Sequence, residues 1–495
     1  MDISNSKLLP PATIPDDLIA KILLLLSFKT IVQLKCVSKS WNTLISDPTF
    51  VQKHLNKSSQ NPHLILTPPT RQYPMSSVKS FPVSRLLETP PITVSGDSCH
   101  GSMNYCKVVG SCNGLLCLLF QSRCKTNKGL FRKFSFCLWN PAMRTMSQKL
   151  GTFYDPNPLC DSKSPIFTYD LTYKFAFGCD ISTGDYKVVA LRKAAVIGEG
   201  NDGWKSQVRV YNFCVNFWRN VPKCPLIPLC LMVYNTDRTS NGLYFYGTVN
   251  WLALSNHIWP WFYEDNVWKC VANAKQFMIV SLDLSTETYT QISPPLGFDE
   301  VPRFSPNLHV MMDCLCFSHD FKGIEFVIWQ MKEFGVQESW TRLFRIDYFR
   351  IYHDLDFNGC SQFGTPLLPL YLSKNGDTLI LANYEDDRAI IYNRRDQRVE
   401  IERIRISNKL FWFSAMDYVE SLVSPPWKSA TPTPSTSFPH DSMVGKSILI
   451  EDDSEIGDTV EDSSEEDEGS FLYLDELSYS ESEDELSESE DELSK

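Results

Sequence analysis

Two hydrophobic rhythms divide this chain of 495 residues. Between residues 14 and 48, apolar side chains return every three or four positions. Leu18, Ile22, Leu25 and Leu26 come first, then Ile31, Leu34 and Val37, then Trp41 and Leu44. That spacing stacks them along one side of short helices. From about Lys107 to Val423 the rhythm changes to alternation, in short runs punctuated by Gly and Asn-Gly. Period-2 runs with such turns predict strands.

The helical segment opens on Pro15, which suits a first helical position because its missing N–H is not needed there. Asp16 and Asp17 follow, where the helix dipole favours negative charge. Thr30 reads as the cap of a second helix. Helices this short cannot bury all of their apolar faces against one another, and a domain so small is marginal alone. The surplus apolar surface predicts a docking face for the helices of another protein.

The strand region repeats a theme. Val108 to Cys117 contains Asn113-Gly114 and is followed by Phe136-Cys137-Leu138-Trp139-Asn140-Pro141. Tyr173–Gly178 and Tyr186–Leu191 lead to Val208–Tyr211 and Phe217-Trp218. Gly242–Gly247 and Val249–Leu252 precede Ile279–Leu284, and His309–Phe317 precedes Phe326–Trp329 and Ser339-Trp340. Gly376–Leu381 precedes Ile390–Tyr392. Five visible units of roughly 40–70 residues predict radial repetition, a β-propeller-like domain with few free edges. A β-sandwich is the competing architecture. Trp139, Trp218, Trp251, Trp329 and Trp340 read as core aromatics, and Asn113-Gly114 and Asn250 as turn residues.

Binding residues concentrate in irregular loops. Two stand out, Gly198–Gln207 and Asn256–Lys269. The second carries His257, Trp259, Trp261 and Tyr263, with Phe262 and Trp268. Such crowding of aromatics makes either a piece of core or a recognition patch for a protein target.

Composition narrows the classes. A hydrophobic fraction of 43% and an aromatic fraction of 13% imply a real core. The sixteen cysteines lack zinc-finger spacing and sit among Val, Leu and Phe, so they read as buried thiols, with no metal and no cofactor expected. No signal peptide or membrane-length apolar run is visible, which predicts a cytoplasmic or nuclear protein. No Gly-x-Ser-x-Gly, phosphate loop or His-Glu-x-x-His nominates catalytic residues.

Charge is unevenly placed. Glu451 to Lys495 holds 21 acidic residues and one basic, a net of −20. Taking that from the whole-chain −12 leaves the preceding 450 residues at +8. Arg394-Arg395-Asp396-Gln397-Arg398 is the densest basic run, but acids interleave with it and a nucleic-acid partner is not expected. The tail includes Ser480–Leu486 and Ser487–Leu493 as a tandem heptad and is too poor in apolar residues to fold, so disorder is expected. Ser463, Ser464, Ser480, Ser482, Ser487 and Ser489 each have an acid three residues on, the pattern of an acid-directed kinase.

Residues 14 to 48 resemble an F-box, through Ile14-Pro15-Asp16-Asp17-Leu18, Ile22, Leu26 and Val37-Ser38-Lys39-Ser40-Trp41. Gly110–Leu115, Leu138–Pro141, Asp185–Val189 and Trp329–Val336 with Ser339-Trp340 look like the F-box-associated domain of plant F-box proteins, the F-box/kelch-repeat group. The resemblance implies an adaptor surface made or supported by Ile14, Pro15, Leu18, Ile22, Leu26, Val37, Lys39 and Trp41. One departure stands out. The family's second Leu-Pro is Leu26-Ser27 here, which removes a fixed φ between helices and predicts weaker adaptor binding.

The expected fold is α+β overall. A helical F-box domain spans 10–61, a connector 62–106, an all-β propeller-like domain 107–425, and a disordered acidic tail 426–495. The function implied is that of a non-catalytic substrate adaptor of an SCF-type cullin ubiquitin ligase. It would dock a Skp-family adaptor, and through it cullin, while the β domain holds a protein target. A binding scaffold outside any ligase is the alternative.

Overall fold

The computed structural model describes residues 14–66, 78–87, 97–98, 106–126, 129–155, 173–195, 204–229, 242–255, 261–264, 267–270, 273–353, 366–383, 389–400, 412 and 415–425. The tail expected to be disordered lies outside them, as do all of its serines.

Four helices come first: α1 (Asp16–Leu25), α2 (Phe28–Leu34), α3 (Lys39–Ser46) and α4 (Pro48–Ser58). Side chains cap three of them. Ser27 accepts from Thr30 N–H, Ser38 from Trp41 N–H, and Asp47 from Thr49 and Phe50 N–H. Pro15 stands one position earlier than expected, just before α1, where its carbonyl accepts from Leu18 and Ile19 N–H. The cap of α2 is Ser27 and not Thr30, because only Ser27 precedes the first helical residue, Phe28.

Among the described residues the strands then build six blade sheets and one separate two-stranded hairpin. The segment expected to be a connector with some ordered strand supplies β1 (His63–Leu66), β2 (Lys79–Pro82), the short helix α5 (Val83–Leu86) and β3 (Asp97–Ser98). Blade 1 is β4 (Cys106–Cys112), β5 (Leu115–Thr126), β6 (Gly129–Asn140), β7 (Thr145–Met146) and β8 (Leu150–Tyr154). Blade 2 is β9 (Lys174–Cys179), β10 (Tyr186–Ala195), β11 (Trp204–Asn212) and β12 (Phe217–Val221). Blade 3 has β13 (Ile227–Pro228), β14 (Leu243–Phe245) and β15 (Thr248–Leu254). A separate hairpin of β16 (Trp261–Glu264) and β17 (Val267–Cys270) is inserted before β18 (Phe277–Asp283) and β19 (Tyr289–Ile292) complete that blade. Blade 4 is β20 (Asn307–Met311), β21 (Cys314–Phe321), β22 (Glu325–Met331) and β23 (Trp340–Asp347), followed by α6 (Tyr348–His353). Blade 5 is β24 (Leu367–Leu372), β25 (Thr378–Asn383), β26 (Ala389–Asn393) and β27 (Arg398–Glu400).

Blade 6 is composite. The last strand, β28 (Met416–Tyr418), pairs antiparallel with β1, through His63 with Tyr418, Leu64 with Asp417 and Ile65 with Met416. The sheet order β28-β1-β2-β3 therefore joins the two ends of the β region and closes the ring. Five units are legible in the sequence because only five are contiguous in it. The sixth is split, with three strands in residues 62–106 and one at 416–418.

Six apolar cores fill the six gaps between blades. Phe136 and Leu138 meet Phe175 and Phe177 between blades 1 and 2, and Val189 and Val210 meet Val249 and Val280 between 2 and 3. Leu252 and Ile279 meet Leu315 and Phe317 between 3 and 4, and Ile328 and Phe344 meet Leu379 and Tyr392 between 4 and 5. Ile380 and Ala382 meet Leu64 and Phe81 between 5 and 6, and Ile65 and Tyr418 meet Val108 and Trp139 between 6 and 1. Both faces of the middle strands are thus covered, and β15 is buried throughout. This is why the alternation is cleaner at blade edges than at blade centres.

Candidate docking surfaces

The helical domain has its own small core of Leu23, Ile31, Ile45 and Phe50, with Trp41, Leu26 and Leu44 packed against it. Leu23 turns one face of α1 inward. The opposite face is left open. Ile14 is 59% exposed, Leu18 48%, Ile22 53% and Leu25 78%, and Val37 beyond α2 is 63% exposed. Leu18, Ile22 and Leu25 are spaced i, i+4, i+7 and so form one stripe. Apolar side chains at this density on a charged helix are not needed by the fold and suit a partner's helices.

The eight residues expected at the adaptor surface divide in two. Ile14, Pro15, Leu18, Ile22, Val37 and Lys39 are exposed, while Leu26 and Trp41 are half-buried and support the core beneath them. Leu25 belongs with the exposed set, and the i+7 step from Leu18 was the signal for it. Ser27 takes φ −71°, within the range a proline would impose, and its hydroxyl adds the cap on α2. The native backbone at this position is thus one that proline also adopts.

On the propeller, His257 and Trp259 lie outside the described residues. Trp261 and Tyr263 fall on β16, in register with Cys270 and Trp268 of β17. The segment expected to be a loop is therefore partly a two-stranded hairpin, which a run of aromatic residues favours. It is inserted between β15 and β18, at the opposite end of blade 3 from the Tyr246-Gly247 turn that joins β14 to β15. Of Gly198–Gln207, residues 204–207 belong to β11 and the rest lie outside the described residues.

The family phrases carry structural work. Asn113 and Gly114 both take positive φ, 52° and 77°, at the turn between β4 and β5. Lys187 of the Asp-Tyr-Lys phrase is buried and donates from Nζ to Asp180 Oδ2 at 2.9 Å and to Leu284 O of blade 3. Burial alone would raise the Asp180 carboxyl, but hydrogen bonds from Lys187 and Ser182 outweigh it and hold it at about 2. Trp329 Nε1 donates to His319 Nε2 at 3.2 Å, and Trp340 Nε1 donates to Ser293 O at 3.1 Å. These tryptophans are partnered parts of the scaffold and not free ligand platforms.

Among the described residues no group of His, Cys, Asp and Glu is arranged to hold a metal, and no helix is long and apolar enough to cross a membrane. Cys112, Cys117, Cys137, Cys179, Cys224 and Cys316 are buried free thiols. Burial pushes the Cys316 thiol up to about 12 and that of Cys224 up to about 11.

Comparison with known proteins agrees with this division. Residues 13–53 match the F-box domain, and residues 70–425 match the F-box associated beta propeller domain. An Arabidopsis thaliana F-box/kelch-repeat protein is 28% identical over 357 residues, covering 70% of this chain and 83% of its own length. A second Arabidopsis F-box protein is 26% identical over 400 residues, covering 74% of this chain and 78% of its own. The F-box protein CPR1 of the same plant is 26% identical over 352 residues, 68% of this chain and 73% of its own. With a helical F-box at its start and six blades closed through a composite sheet, the chain belongs to the family of proteins that carry an F-box associated beta propeller domain.

Proposed function

We propose that this protein is a substrate-receptor subunit of an SCF-type cullin ubiquitin ligase. The observation that carries the reading is the exposed stripe of Leu18, Ile22 and Leu25, flanked by Ile14 and Val37, on a domain whose own core is already filled by other residues. A Skp-family adaptor would cover that stripe and link the chain to cullin. The propeller would hold a protein target, and the hairpin β16–β17 with residues 256–260 remains our candidate for part of that surface. Catalysis of ubiquitin transfer would come from the partners, with this chain supplying binding and geometry.

Reconstitution tests the proposal. The full chain is combined with a Skp-family adaptor, cullin, a RING subunit, E1, a charged E2 and ubiquitin. Ubiquitin conjugation to lysines of this chain, lost with Leu18→Asp/Ile22→Asp, is the expected result. Equal conjugation by that variant would remove the F-box stripe from the account.

A further inference from the structure

The helical domain is attached to the propeller twice. The first attachment is the link 59–62 between α4 and β1, where Pro62 O accepts from Val83 N–H at 3.0 Å. The second comes from the far end of the chain. After β28 closes the ring, residues 419–423 cross the end of blade 1 and reach the helices.

Each side of this segment is specified. Asn140, fully buried at the end of β6, donates from Nδ2 to Ser421 O at 2.7 Å and to Val423 O at 2.8 Å. Its Oδ1 accepts from Met143 N–H at 3.0 Å, so the amide is used at both ends. At Gly114, φ is 77°, and a Cβ would lie 2.4 Å from Ser421 Cβ and 2.6 Å from Val419 O. Only glycine lets the segment pass this close. Ala142 N–H donates to Tyr418 Oη at 3.3 Å. On the other side, Leu422 is 2% exposed and completes the core of Leu23, Ile31, Ile45 and Phe50, against which Met143 also packs.

One attachment would leave a hinge, whereas two fix an orientation. We infer that residues 419–423 are a positioning strap, clamped by Asn140 and plugged into the helical core by Leu422, which sets the angle of the F-box on the propeller. The inference rests on the ligase reading for its purpose, since that angle decides where a captured target faces. Asn140 and Leu422 are both buried within the chain and act as positioning residues.

The test is single-molecule energy transfer on the full chain, with dyes at the exposed positions Lys53 of α4 and Lys223 beyond β12. The wild type is expected to give one narrow population. Asn140→Ala, which frees the segment from blade 1 and leaves Leu422 in the helical core, is expected to broaden it well below the melting temperature, while Skp-family adaptor binding stays unchanged. Leu422→Met, which conserves volume, keeps the narrow population. A narrow population in Asn140→Ala would overturn the inference. So would broadening accompanied by loss of adaptor binding, because the segment would then hold the F-box fold together and not its angle. A wild type that binds no adaptor sinks the ligase reading instead, and the distance distributions still decide the strap.

Discussion

At the scale of single residues, the burial of charge and of neutral histidine sets the main sensitivities. Lys187 ties blade 2 to blade 3 through Asp180 and Leu284 O, with Glu287 at 3.9 Å. Lys187→Met leaves Asp180 as an unpaired buried carboxylate and is expected to cost about 3–5 kcal/mol, read by urea unfolding. His309 and His319 are buried on blade 4, and burial pulls them down to about 3 and about 4. His319 donates from Nδ1 to Asp320 O and accepts at Nε2 from Trp329, so it is held neutral, whereas neither ring nitrogen of His309 has a partner. Both stay neutral in the fold while the unfolded chain takes up protons near pH 6.5. Their contribution to stability is therefore complete above about pH 6.5 and is lost as pH falls towards 4 and then 3. Each histidine adds a slope of up to about 1.4 kcal/mol per pH unit, and Asp417, which burial raises to about 7, opposes them in the same window, so His309→Leu should lower the net slope by up to about 1.4 kcal/mol per pH unit in urea unfolding from pH 7 to pH 4. The same slope in the wild type and His309→Leu would contradict the burial of that ring. Histidine burial was not legible in the sequence, because His309 stands in an apolar run that reads equally well with its ring inward or outward.

At the scale of elements, the helices were legible and their ends less so. The apolar spacing predicts α1 and its exposed stripe, and Leu23 faces inward opposite to it. The start of α2 is set by a short-range hydroxyl contact from Ser27, whereas the sequence pattern points to Thr30 as the cap. That contact makes a test. Ser27→Ala removes the cap and is expected to cost about 1 kcal/mol of stability. Ser27→Pro preserves the φ near −71° but also loses the hydroxyl, so it should fall no lower than Ser27→Ala, with adaptor affinity maintained. Differential scanning calorimetry and adaptor titration of the two variants check this. A gain of adaptor affinity in Ser27→Pro would show that the serine does weaken docking. Strand positions in blades 1–5 follow from alternation and Gly-marked turns. The aromatic run at 261–270 misled as a loop because its pairing partner lies within the same run.

At the scale of the whole molecule, closure is the property that local patterning could not display. β1, β2 and β3 are short, and the strand that completes their sheet lies more than 300 residues away, at Met416–Tyr418. A pattern read in sequence windows finds no repeat there, and residues 62–106 accordingly looked like a connector. The composite blade gives a prediction about fragments. Residues 107–425 carry one of the four strands of blade 6 and leave the apolar edges of blades 1 and 5 open, so this fragment should aggregate or show no cooperative melt. Residues 62–425 restore the missing strands and should melt cooperatively by circular dichroism. Cooperative melting of the shorter fragment would contradict ring closure through β28 and β1.

The most direct measurement of the central claim is the titration of the full-length protein with a purified Skp-family adaptor, beside Leu18→Asp/Ile22→Asp. Both substituted side chains are exposed, so the variant should melt at the wild-type temperature. The account predicts a stoichiometric complex for the wild type and none for the variant. Folded wild-type protein that forms no complex, or a variant that binds as well as the wild type, would contradict it.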